Sequence, residues 1–138
     1  MQAVLVVEQE GRVAIEYLAP GKKPFAFKCH RSKLPDGTER IYPVNAIAFH
    51  PVHGTFATGG CDAIVNVWDW QNKKRLCQFH RYSTSIAALE FSHDGSMLAI
   101  ANSYTYEEGE RDHPGDAVVL RKIDDSDCKP KPKAEVKV

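Results

Sequence analysis

Six histidines and four cysteines are the side chains in this 138-residue sequence best suited to hold a metal or act as nucleophiles. The densest group is Cys29-His30 together with His50 and His53. A zinc site of the structural kind needs paired ligands at short fixed spacing, and no C-x-x-C or H-x-x-x-H pair occurs. Neither a metal nor a cofactor is expected. The nucleophile elbow, the P-loop, the dinucleotide fingerprint and paired carboxylates are also missing from the sequence. A His with an Asp is a catalytic signature only beside a nucleophile that the pair activates. No catalytic residue is assigned, and the chain reads as a non-enzyme.

The elements that position these residues follow from an internal repeat. Shifting the chain by 42 positions matches Val44 to Ile86, Ala46 to Ala88, Ile47 to Leu89, Phe49 to Phe91, Phe56 to Leu98 and Ala57 to Ala99. A period near 40–45 residues is that of WD40 repeats, in which each unit is one four-stranded propeller blade. Runs 44–49, 55–58 and 64–68 have strand character, and the last ends in the Trp68-Asp69 dipeptide. Gly59-Gly60-Cys61-Asp62-Ala63 reads as the hairpin turn between the second and third runs. Run 76–79 closes that blade, and 25–28 closes the one before it.

Residues 85–91, 97–101 and 117–123 repeat the pattern without a Trp-Asp, as a degenerate last blade. The expected class is all-β, with 1–123 as about two and a half blades of a WD40 propeller: 1–28 the end of one blade, 44–79 a full blade, 85–123 the last. A ring needs typically 4–8 blades before no face is left bare, so this length predicts a partial ring that self-associates or is completed by other segments. Residues 107–112, Glu-Glu-Gly-Glu-Arg-Asp, read as a solvated loop. The stretch 124–138, with its Lys-Pro alternation, reads as a disordered charged tail.

His30 stands just after the 25–28 strand, Thr58 lies on a central strand, Asp62 in the next turn, and Trp68 at the unit's end. WD blades resemble this arrangement, with His, Thr, Asp and Trp bonded in series, so the four are expected to form a structural hydrogen-bond network. His80 is placed to repeat the role in the next blade. Arg12, Lys28, Arg31, Lys33, Arg40, Lys73, Lys74, Arg75 and Arg81 are expected at strand ends and in loops, where binding residues tend to lie.

Lys and Arg number 18, as do Asp and Glu, so no overall field selects a nucleic acid or a membrane surface. The longest apolar run near the start, 3–7, is far short of a membrane span or signal peptide. A soluble, non-secreted protein with reduced thiols is expected.

With these residues in view, Glu10-Gly11-Arg12-Val13-Ala14-Ile15-Glu16-Tyr17, Phe27-Lys28-Cys29-His30-Arg31, Ile41-Tyr42-Pro43-Val44-Asn45-Ala46-Ile47 and the run from Lys73 to Tyr82 carry a family resemblance. From about Gly11 to Ile123 the chain resembles the Bub-type spindle-checkpoint family of WD-repeat propellers. A sibling group, mRNA-export propellers that dock on a nucleoporin, shares the first three motifs, and His50-Pro51-Val52-His53-Gly54-Thr55 is similar to it. The Lys73–Tyr82 stretch favours the checkpoint branch.

The resemblance implies a seven-bladed adaptor of nucleus, kinetochore and cytoplasm. It would bind short acidic segments of checkpoint kinases through arginines at the positions of Arg12 and Arg31, and phosphorylated Met-Glu-Leu-Thr repeats of a kinetochore scaffold through the latter. A lysine that helps with the phosphate in some members aligns with Gly54, and His53 beside it is the expected substitute.

Overall fold

The computed structural model describes residues 3–8, 10–18 and 20–130. Its strands fall into three successive antiparallel sheets and a short hairpin. The first sheet holds β1 (Ala3–Glu8), β2 (Arg12–Tyr17) and β3 (Phe25–Lys28) in that order. A hairpin of β4 (Arg31–Lys33) and β5 (Glu39–Ile41) then leads into the complete blade, β6 (Val44–Phe49), β7 (Phe56–Gly60), β8 (Val65–Asp69) and β9 (Lys74–Phe79). The last sheet is β10 (Ile86–Phe91), β11 (Met97–Asn102) and β12 (Ala117–Lys122), followed by one helical turn, α1 (Asp125–Cys128). The WD40 architecture read from the 42-residue offset is the architecture observed. Among the described residues no helix is long and apolar enough to cross a membrane.

Blades are held by what lies between them. Val13, Ile15, Cys29, Val44 and Phe56 bury one seam between the first and second sheets. Ala57, Val65, Val67, Phe79, Ile86, Leu98, Ile100 and Ile123 bury the second seam, between the middle sheet and the last. The middle sheet is covered on both faces, and so every residue of β7 is buried and the alternation expected of a half-exposed strand is lost. At the far side of the last sheet nothing among the described residues covers β12, where Val118 and Leu120 are 69% and 66% exposed.

Gly59 and Gly60 belong to β7 and not to the turn that sequence reading gave them. The positive φ in that hairpin falls on Ala63, at 64°. The two glycines are small because of their neighbours. A Cβ on Gly59 would stand 2.3 Å from Cγ2 of Ile86 in the next blade, and one on Gly60 would stand 2.7 Å from the His30 ring.

Two further expectations change. The β4–β5 hairpin was not anticipated, although Pro35-Asp36-Gly37 is a turn signature: Asp36 accepts from the N–H and hydroxyl of Thr38, and Gly37 has φ 90°. Part of the supposed disordered tail is ordered, for Asp125–Cys128 forms α1, with Asp124 N–H bonded to the Asp127 carboxylate at its start. Cys128 is 1% exposed, and its carbonyl accepts from the Thr55 hydroxyl. An apolar thiol in a charged stretch supplied the anchor. Residues 131–138 of the expected tail lie outside the described residues.

Gly59→Ala should loosen the seam between the middle and last blades, since overpacking a close-packed interior costs about 1–3 kcal/mol. The expected outcome is a lower urea midpoint for the variant, with Gly115→Ala, where open space surrounds a glycine of ordinary φ, affected far less. Equal midpoints for Gly59→Ala and the parent would contradict the packing account.

Candidate functional site

One end of the blades gathers the segments 10–11, 29–43, 61–64, 80–85 and 103–116. Backbone bonds stitch them together: Cys29 N–H to Gly11 O, Tyr42 N–H to His30 O, Cys61 N–H to Pro43 O, and Tyr82 N–H to Ala63 O. Sequence separation across blades is long here, so the end is rigid only because each loop is tied to its neighbour.

His30, Thr58, Asp62 and Trp68 come together beneath this end. The indole N–H of Trp68 donates to Thr58 Oγ1 at 2.9 Å, and Thr58 Oγ1 lies 2.8 Å from His30 Nε2. His30 Nδ1 lies 2.9 Å from Asp62 Oδ1. A carboxylate only accepts, so Nδ1 carries the imidazole proton and Nε2 accepts the Thr58 proton. The order Thr, His, Asp is that of a hydrolytic triad, but access decides against catalysis. Thr58 is 0% and His30 3% exposed, and the indole already occupies the hydroxyl oxygen that an attack would use. His80 does not repeat the arrangement. It is exposed, and the residue 42 positions after Thr58 is Ile100, which is buried in the seam.

Arg31 leaves this network toward the surface. Its Nη1 donates to Glu39 Oε2 at 3.2 Å and its Nη2 to the Glu10 carbonyl at 3.0 Å. The side chain is only 13% exposed, and Nε is buried with no hydrogen-bond partner among the described residues. Glu39 sits on β5, so the hairpin missed by sequence reading is what braces the arginine. Arg12 is exposed at the start of β2, directly opposite Lys28 in the β2–β3 register.

Further along the same end, Tyr42, Arg81, Thr84, Tyr104, Glu107 and Arg111 border a polar cavity of about 220 Å³. The charged stretch 107–112 is exposed, as expected of a solvated loop, yet its backbone is tied down. Buried Tyr104 donates to Gly109 O, accepts from Glu108 N–H and stacks on His113. Glu107 takes hydrogen bonds from Ser85 and Thr105. Partial burial pushes its carboxyl up, but those hydroxyls outweigh it and hold it below its ordinary value. Tyr104 was overlooked in the sequence because one aromatic in an insertion has no periodic partner.

His53 is elsewhere. It lies in the turn after β6, whereas Arg31 precedes β6, so the strand's six residues, roughly 20 Å of extended chain, separate the two. His53 Nε2 instead meets Asp125 of α1 at 3.2 Å, and its ring stacks on His50. The structure does not bring it to the arginines.

His50, His53 and Cys128 do present ligand atoms within 4.8 Å of one another. The donor chemistry argues against a cation. His50 Nδ1 already accepts from the N–H groups of Val52 and His53, so Nε2 carries the proton and donates to Gly95 O. A metal at Nδ1 would face two N–H dipoles, and one at Nε2 would shift the ring's single proton to Nδ1, against those same dipoles. His50 is a neutral structural histidine, its pKa lowered chiefly by burial.

Two outcomes follow. His30→Ala leaves the buried Thr58 proton without an acceptor and removes a donor from Asp62, and should cost about 1–3 kcal/mol, read as a lower urea midpoint. A midpoint equal to the parent's would contradict the network. Because burial depresses the His50 imidazolium, the unfolded chain binds this proton first as pH falls below 6.5, and stability present above that value is lost. Unfolding midpoints should decline from about pH 7 to about pH 5.5, and less steeply in His50→Gln. Equal slopes would exclude His50 as the group responsible.

Comparison with known proteins supplies the family. Residues 26–69 match the model of the WD domain, G-beta repeat. The chain is 56% identical over 128 residues to mitotic checkpoint protein BUB3.1 of Arabidopsis thaliana, and 51% identical over 138 residues to mitotic checkpoint protein bub-3 of Caenorhabditis elegans. These matches cover 90% and 94% of the chain but 37% and 40% of the relatives' lengths. Protein RAE1 of Arabidopsis thaliana is 42% identical over 96% of the chain and 38% of its own length. The repeat, the Trp68-to-Asp62 relay and these identities agree: the chain is a WD-repeat propeller segment, similar over nine tenths of its length to mitotic checkpoint proteins of the Bub3 type.

Proposed function

We propose that this chain forms part of a non-enzymatic adaptor of the mitotic spindle checkpoint, and that its Arg31 end binds acidic or phosphothreonine-bearing peptide segments. The observation that carries the reading is the state of Arg31. Its guanidinium is held in place by Glu39 and the Glu10 carbonyl, and a buried Nε–H has no partner among the described residues. The exposed part of this braced guanidinium offers an anion a charge already held in one orientation, so little ordering cost accompanies a charge-assisted bond to it. Arg12 and Lys28, opposite each other at the same end, supply further positive charge.

That the similar proteins of Arabidopsis thaliana and Caenorhabditis elegans are mitotic checkpoint proteins supports this choice of partner class. The segments envisaged are the glutamate-rich stretch of checkpoint kinases and phosphorylated Met-Glu-Leu-Thr repeats of a kinetochore scaffold, which places the protein at nuclear kinetochores. The export reading has less behind it, since the RAE1 match is at 42% identity against 51–56% for the checkpoint proteins. His53 has no part in the site.

Titration calorimetry with phosphorylated and unphosphorylated Met-Glu-Leu-Thr peptides, and with a glutamate-rich peptide, tests the reading. Arg31→Ala removes charge-assisted bonds worth about 1.5–3 kcal/mol, so affinity should drop roughly tenfold or more. Arg31→Lys should recover only part of it, because an ammonium lacks the planar fork. Identical affinities in parent and both variants would leave Arg31 as a structural brace.

A further inference from the structure

On the outer side of the first two blades, away from the Arg31 loops, the outer strand β3 and the turn between β8 and β9 border a second cavity of about 220 Å³. Its floor is aromatic. Phe27 and Trp68 meet with ring centroids 4.9 Å apart, and Phe27 packs in turn on Phe56. Trp70 forms a wall, held by its indole N–H to the Gly54 carbonyl at 3.0 Å. Lys28, Lys73 and Lys74 stand at the rim, all exposed.

The lone acidic residue lining the cavity does not offset these cations for a ligand. Asp69 is 2% exposed, and its carboxylate accepts from the N–H and the side-chain amide of Asn72. The rim is therefore positive and the floor apolar and preformed. Lys73 also lies over the Phe25 ring at 4.4 Å, which fixes its ammonium beside the opening.

We propose that this groove docks an acidic peptide segment of a partner protein, with one aromatic side chain inserted against Phe27, Trp68 and Trp70 and flanking carboxylates on the lysines. The cavity accommodates one side chain, not a row of them, and the indoles are half-buried and held by hydrogen bonds, so little ordering cost accompanies entry. A single-stranded nucleic acid is the poorer fit. It needs successive exposed ring faces along a basic track, and here the rings converge on one hollow in a chain of zero net charge. The groove shares Lys28 with the Arg31 end but is not lined by Arg31 or by the groups that brace it, and the proposal does not rest on the function assigned to that site.

The probe is a fluorescein-labelled Glu-Asp-Glu-Phe-Glu-Asp-Glu peptide, read by anisotropy against the full chain at fixed salt. Its counterparts are the same peptide with Ala for Phe, the same with lysines for the acids, and a thymidine oligonucleotide of matching charge. Binding of the Phe peptide should be at least tenfold tighter than that of the Ala or Lys versions or of the oligonucleotide.

Lys74→Glu combined with Lys73→Asn, a residue that accepts the positive φ of 55° at that position, should weaken it at least tenfold. Both changes are on the surface, so folding is preserved where Trp70→Ala would remove packed aromatic area and the donor to the Gly54 carbonyl. Arg31→Ala should leave the affinity unchanged. Undiminished binding by the double lysine variant, equal binding of the Ala peptide, tighter binding of the oligonucleotide, or loss of binding in Arg31→Ala would each overturn the assignment.

Discussion

The hydroxyl of Thr58 lies between an indole N–H and an imidazole nitrogen, and its one proton has a single direction to point. That choice fixes the His30 tautomer, which in turn obliges Nδ1–H to face Asp62. Four residues from β8, β7, the exit of the first blade and the following turn are thereby locked in one relative arrangement. Buried polar chains of this kind are stable only when every member is satisfied, and here each link has a donor and an acceptor. Arg31 is the next residue after His30, and so its position is inherited from the relay and not built separately.

The glycines show the same dependence from the packing side. His30 can lie against β7 only because Gly60 has no side chain, and Ile86 can lie against it only because Gly59 has none. The middle blade is thus a thin central layer with a polar lock against one neighbour and an aliphatic seam against the other. Its strand interiors are spent on contacts between blades, which leaves the loops and the outer rim as the surfaces where ligands of any kind have room.

Much of the fold was legible because blades repeat the same burial problem, so Phe56 and Leu98, or Val44 and Ile86, carry the same apolar demand 42 residues apart. The relay was legible for the same reason: WD units resemble one another at those four positions. What escaped was non-periodic. The β4–β5 hairpin, the Tyr104 anchor and α1 each rest on one local device that no second copy announces, and the Gly59-Gly60 pair looked like turn chemistry when its cause was a neighbour distant in sequence. His53 shows the reach of a constraint that strand geometry already sets. Once 44–49 is a strand, the loops before and after it must emerge at opposite ends, and matching His53 to a loop position in the resembling family ignored that constraint.

Both tryptophans of the chain belong to the middle blade, and each indole N–H is committed, one to the Thr58 hydroxyl and one to the Gly54 carbonyl. Intrinsic emission is therefore a local instrument: it reports one end of a single sheet, where β8 finishes and both indoles border the same hollow, while the flanking sheets contain only weaker tyrosine and phenylalanine emitters. A signal change on heating or on peptide addition would localise the event to that blade before any label is attached.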